Sequence, residues 1–172
     1  MRILFLAAAL VALPAHAALA PGARAPDFST QGALGGRGFT FSLSGQLKKG
    51  PVVLYFFPAA FTPGCTLEAN AFAERSGEFR KAGATIIGVS ADSIEDLKRF
   101  SVKECRNRFA VAVASPSMMR SFDVVPPGGT RSSRTSYVIA PDGRVAYVHS
   151  GSDYRGHVEG TLEAVRALSR KR

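Results

Sequence analysis

The uninterrupted apolar run from Val52 to Phe57 limits what this chain can fold into more than any other stretch does. A strand with one face in water alternates apolar and polar residues. A strand-length run without alternation belongs where both faces are covered, as at the centre of a parallel sheet. The flanking pattern supplies the covers. Residues 66–82 are good helix formers, with Phe72 and Phe79 on one face and Gly83 at the C-cap. Thr85 to Ser90 is a second short apolar strand, and Ser93 with Asp96 resembles a capping box opening a helix that carries Ile94, Leu97 and Phe100. Ala110 to Ala114 and Ser136 to Ile139 are further strands, and Pro141-Asp142-Gly143 turns into Val145 to His149 as a hairpin. A last helix carries Val158, Leu162 and Val165 on one stripe. Phe39 to Leu43 alternates as a half-buried strand would, whereas Pro21 to Gly38, rich in Gly, Ala and Pro, reads as an extended lead-in. This order predicts an α/β sandwich with parallel strands joined by helices and an antiparallel hairpin at the edge.

The N-terminus begins with Arg2, an apolar run from Ile3 to Leu13, and the small residues of Ala15-His16-Ala17. That order is the pattern of a secretory signal peptide cut after Ala17. The expectation is therefore a leader over 1–17, a single domain over 18–172 and an exported, periplasmic protein. The run is short for a bilayer span, which takes roughly 17 to 25 apolar residues, so no stable membrane insertion is expected after cleavage. A net charge of +9 and a pI near 10.2 invite a nucleic-acid partner. The basic residues are scattered apart from Arg170-Lys171-Arg172, which favours a solvated basic surface and no nucleic acid.

Only Cys65 and Cys105 carry thiols, too few for a disulfide-stapled scaffold, and neither a CxxC pair nor zinc-ligand spacing is present. Cys65 falls where the loop after the Val52 strand meets a helix N-terminus. Unpaired backbone N–H groups and the helix dipole favour an anion there, and the thiolate is the nucleophilic form of cysteine. Three residues earlier, where a disulfide-shuffling enzyme would carry a second cysteine, stands Thr62. Its hydroxyl can bond an oxygen but cannot form a disulfide, which favours oxygen chemistry over dithiol exchange. Cys105, at the far end of the next helix, is an inert core thiol, half of a permanent bridge, or a reactive partner. His149 and His157 read as surface or structural residues, and Gly128-Gly129 as a loop without a ligand, since no GKS/T follows.

The spacing PxxxTxxC at Pro58, Thr62 and Cys65 resembles the peroxiredoxin active-site motif, and TPGCTLEA from Thr62 to Ala69 is similar to its bacterioferritin-comigratory (Q-type) branch. Ala25-Pro26-Asp27-Phe28 and Arg134-Thr135-Ser136-Tyr137 extend the likeness across most of the chain. The resemblance implies a thioredoxin-like three-layer sandwich with a central mixed β-sheet. It implies a thiol-dependent peroxidase of hydrogen peroxide and organic hydroperoxides, reduced by a thioredoxin-like dithiol protein, without cofactor or metal, and monomeric. It makes Cys65 the peroxidatic thiolate, has Thr62 orient the peroxide, Arg134 stabilise the anionic site and Pro58 shield it from water. Glu68, one turn beyond Cys65, suits a hydrogen bond to that arginine, and Arg131 competes with Arg134 for the role. Cys105 is then the resolving cysteine, because the position five residues after Cys65, where this branch often carries it, is Asn70. Disulfide geometry needs Cα atoms within about 7 Å, so local unfolding is expected in the cycle. Two other classes stay open: a thioredoxin-like disulfide oxidoreductase of exported proteins, and a binding module with a structural Cys65–Cys105 bridge.

Overall fold

The apolar run becomes β3 (Val52–Phe56), every residue of it buried. The computed structural model describes residues 18–170, so the proposed leader lies outside the described residues. Val53, Tyr55 and Phe57 point into one core together with residues of α2 (Pro63–Lys81), α3 (Ile94–Lys103) and α5 (Tyr154–Ser169). Val52, Leu54 and Phe56 point into a second core with α1 (Leu43–Leu47) and α4 (Pro116–Ser121). The missing alternation thus has the expected cause, helices on both faces of one sheet. The sheet runs β2-β1-β5-β4-β3-β6-β7, with β1 (Ser29–Leu34), β2 (Arg37–Ser42), β4 (Thr85–Ser90), β5 (Ala110–Val113), β6 (Thr135–Ile139) and β7 (Val145–Ser150). The three central strands β5, β4 and β3 are parallel, and the outer pairings are antiparallel. This is the three-layer sandwich on a mixed sheet that the sequence predicts. Among the described residues, no helix is long and apolar enough to cross a membrane.

The lead-in is not simply extended. Ser29–Leu34 forms β1, which closes a hairpin with β2 and joins the sheet against β5, so the sheet has an antiparallel hairpin at each edge. Its Gly and Ala content lacks the β-branched alternation that marks a strand; ladder pairing and contact with buried Val111 hold it instead. The short helices α1 and α4 have too few turns for a periodic pattern. Helix α2 opens at Pro63, one turn earlier than its composition suggests, because proline suits the first helical position and needs no N–H partner there. Gly83 follows Ala82 at φ 79°, the left-handed step that ends such a helix.

Tyr55 stacks on Phe72 with ring centroids 4.6 Å apart. Its ring tip lies so close to Gly88 that a Cβ there would stand 2.6 Å from it. The hydroxyl is buried with no hydrogen-bond partner among the described residues, and burial pushes its pKa well up. An unpaired buried hydroxyl opposes folding by roughly 1 kcal/mol or more. Tyr55→Phe should therefore raise the unfolding free energy by about 1 kcal/mol. Gly88→Ala should lower it by about 1–3 kcal/mol through overpacking. Urea titration of both variants checks the pair of signs.

Candidate active site

Phe56, the last residue of β3, pairs with Thr135, the first of β6. The loop leaving β3 and the residue entering β6 therefore share one end of the sheet, which sets Cys65 and Arg134 face to face. The loop is braced from two sides. The Ala60 N–H donates to Asp92 Oδ2 at 2.6 Å, and Arg131 donates to the Pro58 carbonyl at 2.8 Å and to Asp92 Oδ1 at 2.9 Å. The guanidinium of Arg131 is thus used to hold the loop, and the competition for the cysteine's cation goes to Arg134. Phe61 sits at φ 62°, a left-handed conformation uncommon outside glycine, and its ring meets Phe100 edge-on at 5.3 Å. Such strain persists only where the surroundings fix it.

Thr62 is the N-cap of α2, but its hydroxyl caps no backbone N–H; it donates to the Ala59 carbonyl at 3.0 Å. The proton of that hydroxyl is engaged, which leaves its lone pairs to accept. Cys65, in the first turn, is 2% exposed, and its Sγ lies 3.5 Å from Arg134 Nη2. Gly64 makes room for the contact, since a Cβ there would stand 3.0 Å from the same Nη2. The other arm of Arg134 donates to Glu68 Oε2, with the arginine side chain 12% exposed and the glutamate fully buried. Burial pushes the Glu68 carboxyl up to about 8 even though the guanidinium beside it pulls the other way.

Glu68 Oε1 has no hydrogen-bond partner among the described residues, and 3.8 Å from it stands His157 Nδ1. His157 is itself fully buried; its ring nitrogens bond Ser136 Oγ at 2.8 Å and the Gly151 carbonyl at 3.0 Å. Burial holds the imidazole down at about 4, against the Gly151 carbonyl, which favours its charged form. His157 is thus structural as the sequence suggests, yet it abuts the site. No spacing marks it, because its distance from Glu68 is set by the packing of α5 on α2. Asp92 likewise escapes sequence reasoning, being one acid in a loop.

Cys105 stands apart from this group although both sulfurs border the same core. It is fully buried just beyond α3, and burial, then Glu104, pushes its thiol up. Arg106 and Asn107 follow at φ 50° and 57°, two left-handed residues in succession. Two polar contacts tie the segment to α2: Asn70 Nδ2 to Glu104 Oε2 at 3.2 Å, and Arg106 to Glu74 at 3.3 Å. Both cysteines are free thiols. Cys65, Glu68 and Arg134 are thus brought together, Thr62 stands at the N-cap of the same helix with Pro58 at the head of the loop before it, and Cys105 is not among them. Among the described residues, no group of three His, Cys, Asp or Glu gathers to hold a metal ion.

Residues 21–148 match the AhpC/TSA family model. The chain is similar to the chloroplastic peroxiredoxin Q of Triticum aestivum, 37% identical over 134 residues, covering 76% of this chain and 61% of that protein. It is also similar to peroxiredoxin Bcp of Xanthomonas campestris pv. campestris, 31% identical over 126 residues, with 70% and 79% covered. Peroxidoxin BcpB of Mycobacterium tuberculosis superposes with a TM-score of 0.77 at 31% identity, over 86% of this chain and 97% of that one. The bacterioferritin comigratory protein of Xanthomonas campestris, whose structure is described for its alkyl peroxide reduction activity, superposes at 0.71 with 30% identity over 81% and 91%. The thioredoxin-like sandwich and the matched residues agree, and the chain belongs to the AhpC/TSA family.

Proposed function

We propose that the protein is a thiol-dependent peroxidase of the peroxiredoxin Q/Bcp kind. The observation that carries this is the Cys65 sulfur at the start of a helix, 3.5 Å from a largely buried guanidinium. The ionised sulfur attacks the terminal oxygen of a hydroperoxide. The S–O bond forms, the O–O bond breaks, and the electron pair leaves on the departing oxygen, which takes a proton and goes as water or an alcohol. Arg134 is a fixed donor toward that developing charge, and such preorganised donors supply the larger share of many rate enhancements. Thr62, with its proton committed to Ala59, accepts the O–H of the incoming peroxide and so orients it. Pro58 at the loop's head shields the sulfur from water. The alkyl peroxide activity attributed to the Xanthomonas campestris protein supports organic hydroperoxides as substrates beside hydrogen peroxide.

The sulfenic acid on Cys65 then condenses with the thiol of Cys105, releasing water and leaving a disulfide. A dithiol protein of the thioredoxin kind returns both sulfurs to the thiol state. In its closed state Cys105 is buried and its thiol held protonated, so its segment opens before it reacts. We further infer export to the periplasm, supported by the pattern from Arg2 to Ala17, and a monomeric state.

Cys65→Ser should lose peroxide consumption by about 10³-fold or more, as removal of a catalytic nucleophile does. Cys105→Ser should consume one equivalent and stall without an external thiol. Mass spectrometry of the peroxide-treated protein should find one peptide cross-linked through Cys65 and Cys105; a peroxide-treated protein with Cys105 still free would remove it from the cycle. Asn70→Ala, which frees the Glu104 contact, should speed disulfide closure after sulfenic acid formation by roughly 2- to 10-fold, the effect of losing one polar contact of about 0.5–1.5 kcal/mol. Single-turnover quenching reads that rate.

A further inference from the structure

One cation serves two acids in this site. Arg134 places one arm on Cys65 and the other on Glu68, and the two acids lie one helical turn apart, buried. If both were ionised, the pocket would hold a net negative charge with little water to solvate it, a costly state. If one is ionised, the charges match.

His157 says which. A backbone carbonyl can only accept, so the 3.0 Å contact to Gly151 puts the ring proton on Nε2. In the neutral ring Nδ1 is then a lone pair, accepting from Ser136 Oγ at 2.8 Å and facing Glu68 Oε1 at 3.8 Å. A carboxylate oxygen opposite that lone pair would be repelled, whereas a protonated Oε1 is not. The remaining groups around the carboxyl are the Tyr55 hydroxyl from β3, which burial keeps protonated, and His149, whose ring meets His157 at 4.6 Å from outside.

We propose that Glu68 is the proton store of the site, protonated while Cys65 is ionised and ionised once Cys65 is oxidised, so that Arg134 always faces one negative charge. This rests on the peroxidase reading above. The oxidative step is then Cys65–S⁻ + ROOH + Glu68–COOH → Cys65–SOH + ROH + Glu68–COO⁻, in which water accepts the carboxyl proton and supplies the one taken by the alkoxide. The sulfur loses two electrons to the O–O bond. On reduction, the two hydrogens of the dithiol donor return as the Cys105 thiol proton and the Glu68 proton. Glu68 touches no substrate; it acts through the charge on Arg134 and is a positioning residue. Its elevated pKa of about 8 agrees with the geometry.

The test uses reduced Cys105→Ser protein, in which Cys65 is the sole thiol, mixed with one equivalent of hydrogen peroxide at pH 7 in weak buffer with a pH indicator. Thiolate absorbance before mixing and sulfenic acid after mixing are measured in parallel, with infrared difference spectra. The expected result is thiolate present beforehand, no net proton taken up per sulfenic acid formed, and loss of a protonated carboxyl band. With Glu68→Gln added, one proton should be taken up per event and the carboxyl band change should vanish. Thiolate present with one proton taken up and no carboxyl change in the Glu68 protein overturns the proposal. So does zero uptake in both proteins with the carboxyl band kept, since the oxidised sulfur then holds the charge itself. The infrared reading stands on the Glu68 protein alone, so a poorly folded glutamine variant does not rescue the idea. Failure to form sulfenic acid at all would overturn the peroxidase reading, and this proposal with it.

Discussion

A guanidinium held between a sulfur and a carboxyl sets the terms for everything around it. Arg134 is nearly enclosed and cannot shed its charge, so the pocket must supply its counterion from within. Glu68 alone would satisfy it and leave Cys65 without electrostatic support; Cys65 alone would leave a buried carboxyl without a partner. Holding both at once makes their ionisation mutually exclusive in a medium where charge is expensive. Small choices of residue serve this geometry. Gly64 is bare because Nη2 occupies the space of a side chain, and Thr62 turns its hydroxyl to Ala59 rather than capping the helix, which keeps the first-turn N–H groups free to face an anion.

The fold explains how two residues so far apart in sequence meet with this accuracy. β3 and β6 are antiparallel neighbours in a register that ends with Phe56 against Thr135, so the loop after one and the approach to the other emerge at the same edge. Both strands are buried on both faces, and a one-residue slip would turn every side chain to the opposite core. The register is therefore strongly determined, and with it the distance between sulfur and guanidinium. Helix α5 packs on α2 from the same face and delivers His157 beneath Glu68.

What could be read from the sequence follows the same divide. The central strands were legible because burial on both sides writes an unbroken apolar run, and the place of Cys65 was legible because a loop with two prolines and a glycine meets a helix there. Arg134 came through the resemblance to a family motif, and Glu68 through its place one helical turn beyond Cys65. The first strand was missed because Gly and Ala carry little strand preference of their own, and what holds it is ladder pairing with β2 and β5 rather than an apolar pattern. His157 and the Asp92–Arg131 brace were beyond reach for a related reason: each matters by contact across the fold, and a single His or Asp carries no local pattern.

The second cysteine poses the opposite problem from the first. A resolving thiol must stay unreactive until a sulfenic acid forms and then travel to it, so it belongs in a segment that is well hidden but weakly held. Cys105 is the thiol we propose for this part. Its sulfur is buried and kept protonated, while the chain leaving it takes two left-handed steps without glycine and is tied to α2 by two polar contacts, one of them at the protein surface. Surface contacts of that kind hold by a fraction of a kcal/mol to about 1 kcal/mol, far less than the sheet beneath them. Opening the end of α3 must also release Cys105 from the core and break the backbone bonds around it, and the opening we propose is local because it leaves untouched the strand register that positions Cys65 and Arg134.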